Sequence, residues 1–123
     1  MTIQSRHAYS DTIAALSTAI AETGNTVFAV IDQSAAAAGV GLSLRPTSLI
    51  VFGNPKGGTR LMDAFPLVGL ELPLKLLVWE EHGVVSVSFV PMSEIAARYG
   101  VVGMQERVAA MDSALHGLTD TVA

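Results

Sequence analysis

Residues 52–60 have the residue types of an anion-binding junction. The chain leaves an apolar run rich in β-branched residues, passes three glycines between Gly53 and Gly58, and enters a predicted helix at Thr59. A strand-to-helix junction can present free backbone N–H groups to an anion, and the helix dipole adds to the attraction. Lys56 and Arg60 would contribute positive charge there. The sequence therefore predicts a site for a small anionic or polar ligand, formed by Asn54, Lys56, Gly57, Gly58, Thr59 and Arg60.

This junction is not a nucleotide phosphate loop. Gly53 and Gly58 have the separation of the phosphate-loop glycines, but Thr59 stands where that motif has lysine. Pro55 also removes one backbone donor. The alternative interpretation is a turn that needs glycine for positive φ and proline for rigidity.

Three charged residues outside the junction are further candidates. Asp32 follows a predicted strand, where its carboxylate can act as a base or cap the next helix. Glu71 is the second candidate for a catalytic base. Lys75 lies in a strand that is otherwise apolar from Leu74 to Trp79. Its ammonium must form an ion pair, reach solvent or face a cleft, so a structural pair with a neighbouring glutamate and a ligand contact are both open.

Composition excludes several kinds of chemistry. The chain has no cysteine, and its three histidines have no metal-ligand spacing, so we predict neither a metal site nor a cofactor. The net charge of −4 argues against nucleic acid as a partner. The segment from Arg45 to Lys75 is nevertheless basic, because it carries four of the seven Lys and Arg residues against two acidic ones. That balance favours a small anion over a polyanion.

The apolar half of the composition predicts self-association. Residues of the apolar types make up 50% of the 123-residue chain, which is difficult to bury in one small copy. A homodimer would cover the surplus, and an alanine-rich interior is the alternative. No apolar run reaches the roughly 18 residues of a membrane span, and the first residues lack the apolar core of a signal peptide. We therefore expect a cytoplasmic protein without membrane contact.

Periodicity predicts one domain, residues 1–123, with elements in the order β-α-β-α-β-α-β-β-α-α. The fold class is α+β: a two-layer domain whose five-stranded, mixed or mostly antiparallel sheet carries packed helices. The clearest unit is a hairpin of residues 74–81 and 84–89 with His82-Gly83 as its turn. Its first strand is expected to be central and covered on both faces. We expect residues 53–58 to form a tight loop, residues 59–65 a helix, and Ser93 to cap a later helix.

Several linked motifs span residues 26–100, namely Phe28-Ala29-Val30-Ile31-Asp32, Gly41-Leu42-Ser43-Leu44-Arg45-Pro46-Thr47, Phe52-Gly53-Asn54-Pro55-Lys56 and Leu70-Glu71-Leu72-Pro73-Leu74-Lys75. Together they resemble the domain-of-unknown-function 302 family. The resemblance implies a two-layer α+β fold, a dimer and no established activity. Gln33 stands where the family usually has histidine, and Glu71 where it usually has aspartate. Gln33 can form hydrogen bonds but cannot titrate, so any base or ligand role of that histidine is absent here.

Three functions are compatible with these residues. The first is a homodimeric binding module with its ligand near Gly53–Gly58 and Lys75. The second is a structural or interaction protein that uses its apolar surplus and a C-terminal stripe of Met104, Val108, Met111, Leu115 and Leu118. The third is an enzyme with Asp32 or Glu71 as base and a lysine as electrostatic stabiliser, which requires a carboxylate and an ammonium to converge in one cleft.

Overall fold

A computed structural model, which describes residues Met1–Ala123, has the predicted order of elements. They are β1 (Thr2–Gln4), α1 (Tyr9–Glu22), β2 (Thr26–Asp32), α2 (Gln33–Gly39), β3 (Thr47–Gly53), α3 (Pro55–Ala64), β4 (Leu74–Glu81), β5 (Val84–Ser88), α4 (Met92–Arg98) and α5 (Gln105–Asp120). A 3₁₀ turn, Pro66–Leu70, connects α3 to the peptide preceding β4.

The five strands form one sheet in the order β1-β5-β4-β3-β2, and every neighbouring pair is antiparallel. The α+β fold class and the central place of β4 are therefore confirmed. The hairpin of β4 and β5 turns at His82 (φ 52°) and Gly83 (φ 78°), both in the left-handed region. Two left-handed residues give the strands the twist that a two-residue hairpin needs.

Helices cover only one face of the sheet. Leu76 and Val78 of β4 are fully buried on that face, among side chains of α1 and α5. Lys75, Leu77 and Trp79 alternate with them and are only half-buried. The expectation that β4 is covered on both faces is wrong, because α1 and α5 pack on the same side of the sheet.

A second, smaller core lies against α3 and α4. Its buried members are Leu61, Val68, Met92, Ile95, Ala96 and Val108. We call this part of the molecule, formed by α3 and α4, the corner. The prediction that Ser93 caps α4 is wrong. Ser93 lies inside the first turn, and the Asp112 carboxylate of α5 accepts hydrogen bonds from the backbone N–H groups of Met92 and Ser93.

The edge strand β2 is exposed although it is apolar. Phe28, Val30 and Ile31 are 51%, 45% and 47% exposed. The following helix, α2, buries none of its residues, and Val40 and Leu42 beyond it are also exposed. This edge is an apolar surface that the chain itself leaves uncovered.

Candidate functional site

The glycine-rich junction is helical and not a loop. α3 begins at Pro55, four residues before the predicted start at Thr59, and Asn54 is its N-cap. Proline suits the first helical position because its missing N–H would lack a helical partner there. The Asn54 side chain accepts a hydrogen bond from the Lys56 N–H at 3.0 Å. Local capping signals therefore override the loop preference of glycine.

None of the three glycines has positive φ. The alternative interpretation, a turn that requires glycine for its backbone angle, is therefore also wrong. A Cβ built on Gly57 would meet Met111 at 3.9 Å, and one on Gly58 would meet Met62 at 3.7 Å, both ordinary contacts.

The backbone donors of this helix start already have partners. The N–H groups of Gly57 and Gly58 donate to the Asn54 carbonyl at 2.9 and 3.1 Å. Together with the capped Lys56 N–H, they leave no free donor in residues 55–58, since Pro55 has none. The side chains of Lys56, Thr59 and Arg60 are exposed. Any ligand bound here would rely on side chains and the helix dipole alone.

A cavity of about 390 Å³ lies where β4 begins and β5 ends. Four of its twelve lining residues are polar, namely Thr2, Glu71, Lys75 and Ser88. The other eight are apolar and include residues of both buried cores, such as Leu115 and Ile95. The cavity combines an apolar wall with a few polar groups, which is the usual make-up of a small-molecule site.

Strand register places much of this wall in one row. Leu49 of β3 pairs with Leu77 of β4, Leu77 pairs with Ser88 of β5, and Ser88 pairs with Thr2 of β1. The Ser88 and Thr2 hydroxyls are 2.8 Å apart, and the Trp79 Nε1–H donates to Ser88 Oγ at 3.0 Å. The row therefore runs from two leucines to a hydrogen-bonded hydroxyl pair.

Lys75 contributes a fixed ammonium to the cavity. Its Nζ donates to the backbone carbonyls of Glu71 at 2.7 Å and Pro73 at 2.9 Å. Desolvation by burial lowers the pKa of Lys75 below its usual 10.5, and the nearby charge of Glu71 opposes that shift. An ammonium has three N–H groups, and the third has no protein acceptor.

Glu71 is held by partners from α4 and the residue after it. Its Oε1 accepts a hydrogen bond from the Tyr99 hydroxyl at 2.9 Å and lies 3.5 Å from Arg98 Nη1. The hydrogen bond to Glu71 is the main reason that the pKa of Tyr99 is raised above 10.0. These partners fix the orientation of the carboxylate, and its charge still acts on Lys75.

Asp32 lies away from this cavity and caps α2. Its Oδ1 accepts hydrogen bonds from the Ser34 hydroxyl at 2.6 Å and the Ala35 N–H at 2.8 Å. These bonds lower the pKa of Asp32 below 3.8. The capping alternative is therefore confirmed for this residue, and Asp32 has no lysine beside it.

The sequence-predicted residues thus fall into three places. Glu71 and Lys75 both line the 390 Å³ cavity, which is the convergence that the enzyme hypothesis requires. Asn54, Gly58 and Thr59 line a neighbouring cavity of about 220 Å³, and the two cavities share Leu74. Lys56 and Arg60 line neither.

Sequence reasoning missed Tyr99, Arg98 and the hydroxyl pair of Thr2 and Ser88. The Tyr99–Glu71 contact joins residues 28 positions apart, and the hydroxyl pair joins residues 86 apart. No local pattern links such positions. The pairing of β1 with β5 brings Thr2 to Ser88, and the position of α4 brings Tyr99 to Glu71.

The fold and the cavity define a small α+β domain with helices on one sheet face and an amphipathic cavity at the strand ends. The family model described as "Domain of unknown function DUF302" matches residues 1–122. The chain therefore belongs to this family. A crystal structure of an uncharacterized conserved DUF302 protein from Bacillus stearothermophilus has the same fold, with a TM-score of 0.92 at 21% identity, covering 100% of this chain and 97% of that one.

Curated relatives are longer. The chain is 42% identical over 81 residues to "Fluoride-specific ion channel FluC 1" of Brucella suis biovar 1 (strain 1330), which covers 66% of this chain and 32% of the relative. A FluC 1 protein of Brucella abortus biovar 1 (strain 9-941) matches at the same identity over 30% of its length. The chain thus spans about a third of these relatives. Its own helices are all too short or too polar to cross a membrane.

Proposed function

We propose that this chain is a homodimeric binding module for a small anionic or polar ligand, which it holds through Lys75. The observation that carries the proposal is the third N–H of Lys75, which has no acceptor in the protein while the other two are fixed on carbonyl oxygens. A donor fixed at the edge of a cavity needs little further ordering to bind a ligand.

The surroundings of Lys75 strengthen its attraction for an anion. Eight of the twelve cavity residues are apolar, and Lys75 is partly desolvated. Charge interactions are stronger where water is displaced by apolar side chains. The Glu71 carboxylate pairs with Arg98 at 3.5 Å, and Lys75 itself forms no ion pair with a carboxylate.

The junction at residues 53–60 keeps a secondary place in the proposal. Its smaller cavity adjoins the Lys75 cavity at Leu74. Lys56 and Arg60 are exposed on α3, where they raise the local concentration of anions without holding one. Asn54, Gly57, Gly58 and Thr59 are expected to contribute side-chain and surface contacts only.

Dimerisation is supported by the uncovered β2 edge. The exposed parts of Phe28, Val30, Ile31, Val40, Leu42 and Leu44 amount to on the order of 500 Å². A standard interface buries about 800 Å² on each partner. The alanines of α2 and the β2 backbone would supply the area that these six side chains do not. Since this surface is mostly apolar and carries few charges, a second copy is the partner that matches it in a two-fold pair.

The names of the Brucella relatives suggest fluoride as one candidate ligand to test. They are called fluoride-specific channels, and fluoride is a small anion. We do not extend conduction to this chain, because it matches about a third of those proteins. We propose a cytoplasmic location for the chain, as its sequence predicts.

The test is a thermal-shift screen of fluoride, phosphate, nucleotides and carboxylates on three proteins: the unmodified chain, Lys75→Met and Lys56→Met. Lys56 and Lys75 are the only lysines, so the two variants are a matched pair. A ligand at about 100 times its Kd adds roughly 2.7 kcal/mol of stability. We expect a hit that Lys75→Met loses and Lys56→Met keeps. The reverse pattern would move the site to the start of α3, and no hit at all would refute the binding function.

The dimer has its own test in sedimentation velocity. Val30→Lys adds a charge to β2, whereas Leu67→Lys adds one to an equally apolar side chain that is 67% exposed elsewhere. We expect dimers of the unmodified chain and of Leu67→Lys, and monomers of Val30→Lys. A monomeric unmodified chain would refute the dimer. Dimers without any ligand response would instead favour the second candidate, an interaction protein that acts through this apolar edge.

A further inference from the structure

We propose that the cavity beside Lys75 selects an apolar monocarboxylate of about six to eight carbon atoms in all. This inference rests on the proposed function for the existence of a ligand, and it names the chemical class of that ligand. Its basis is the combination of one available ammonium donor with a wall that is mostly hydrocarbon.

The polar groups that line the cavity fit a single negative charge. Lys75 offers one N–H, and the Ser88–Thr2 hydroxyl pair lies on the same lining. Glu71 also lines the cavity and brings a carboxylate close to the bound head group. That charge disfavours a dianion such as hydrogen phosphate, whereas a monocarboxylate places one charge against Lys75.

The remainder of the wall fits a hydrocarbon chain. Leu49 and Leu77 form the apolar half of the strand row, and Phe89 and Ile95 line the cavity beyond it. An inorganic anion would leave Leu49 and Leu77, which are only half-buried, in contact with water. An alkyl or aryl body would cover them, and each buried methylene is worth about a fourfold gain in affinity.

The volume sets the size of the ligand. A cavity of 390 Å³ holds the equivalent of about 13 water molecules at roughly 30 Å³ each. Because the cavity is open to solvent, part of that space stays wet, which leaves room for a whole ligand of about eight to ten heavy atoms, its carboxylate included. Hexanoate, octanoate and phenylacetate have this size.

The experiment is calorimetric and NMR titration of the full chain with acetate, butyrate, hexanoate, hydrogen phosphate, fluoride and hexan-1-ol. We expect hexanoate to bind on the order of 200-fold more tightly than acetate, since four methylenes contact the apolar wall. Hexan-1-ol lacks the charge and is expected to bind at least tenfold more weakly than hexanoate. Amide shifts are expected at Leu77, Ser88 and Ile95.

Variants separate the two ends of the ligand. Lys75→Met should remove at least tenfold of the hexanoate affinity and leave hexan-1-ol unchanged, whereas Lys56→Met should leave both unchanged. Leu77→Asn should weaken hexanoate at least tenfold and acetate little. If Lys75→Met does not fold, Lys75→Gln, whose side chain is polar, is used in its place. Hexanoate binding to the unmodified chain must also fall as pH rises through the pKa of Lys75.

Two outcomes would overturn the inference and leave the proposed function intact. In the first, acetate, phosphate or fluoride binds in a Lys75-dependent manner as tightly as hexanoate. In the second, Lys75-dependent binding is found only for ligands without a carboxylate. Equal affinity for hexanoate and hexan-1-ol, insensitive to Lys75→Met, would overturn both, as would the absence of any ligand.

Discussion

Replacing Gly58 with alanine should stabilise the protein. Gly58 lies within the first turns of α3 and has no positive φ. A Cβ there would lie 3.7 Å from Met62 Cε and 3.8 Å from Leu72 Cδ1, which is ordinary van der Waals contact. Glycine in a helix costs about 0.5–1 kcal/mol relative to alanine, so Gly58→Ala should recover about that amount.

The expected change is measurable by calorimetry and urea unfolding. An unfolding entropy of about 2.1 cal/mol/K per residue converts 0.5–1 kcal/mol into a rise of about 2–4 °C in the Tm of a chain this long. The matched control is Gly83→Ala in the β4–β5 turn, where φ is +78° and nothing lies within 4 Å of a Cβ. That variant should lose about 1–2 kcal/mol, because alanine is strained in the left-handed region.

The pair of variants distinguishes a helix from a loop at residues 55–58. If these residues formed the glycine loop that the sequence suggests, Gly58→Ala would destabilise the protein as Gly83→Ala does. A fall in Tm for Gly58→Ala would therefore refute the helical start of α3, and with it the conclusion that its backbone donors are occupied.

Three further outcomes are expected. Asp112→Ala should cost about 1.5–3 kcal/mol in urea unfolding, because the N–H groups of Met92 and Ser93 lose a charged acceptor; a loss below about 0.5 kcal/mol would contradict this. Tyr99→Phe should destabilise the protein by a constant amount below pH 10 and by less at higher pH. Since the pKa of Tyr99 is raised in the folded protein, the stability that its hydroxyl adds is lost as pH rises through that pKa. A stability difference that persists unchanged to pH 12 would contradict this. Asp32→Ala should raise the amide hydrogen exchange rates of α2 and not of α5. In the unmodified chain the pKa of Asp32 is lowered, so the cap is present at every pH above 3.8 and is lost only as pH falls through the folded-state pKa. Equal exchange changes in both helices would mean that Asp32 is not a local cap.

Local signals were sufficient for the elements of the fold. The His82-Gly83 turn and the alternation around it gave the hairpin, because a two-residue turn and its strands are encoded in adjacent residues. The order of elements follows in the same way. Which face of β4 is covered depends on where α1 and α5 pack, and that arrangement is set by contacts between distant residues.

The candidate site was predictable only in part. Lys75 was singled out because a lysine in an apolar strand needs a partner, and the structure gives it two carbonyls and a cavity. The predicted start of α3 at Thr59 is wrong because that prediction gave more weight to the loop preference of Gly57 and Gly58 than to the capping pattern of Asn54 and Pro55. An asparagine before a proline marks a helix start, and that signal was stronger than the glycine content.

The two buried cores share α5, which has consequences for partial unfolding. Val108 belongs to the smaller core and Leu115 to the larger one, and both are on α5. The corner of α3 and α4 is attached to the sheet through this helix, through Leu74 and through the Asp112 cap. Such a corner can open as a cooperative unit of its own, at a lower free energy than the sheet. Because Ile95 of α4 lines the Lys75 cavity, that part of the cavity wall is present only while the corner is closed. Occupation of the cavity would therefore suppress this sub-global opening and slow exchange in α4 without moving any strand.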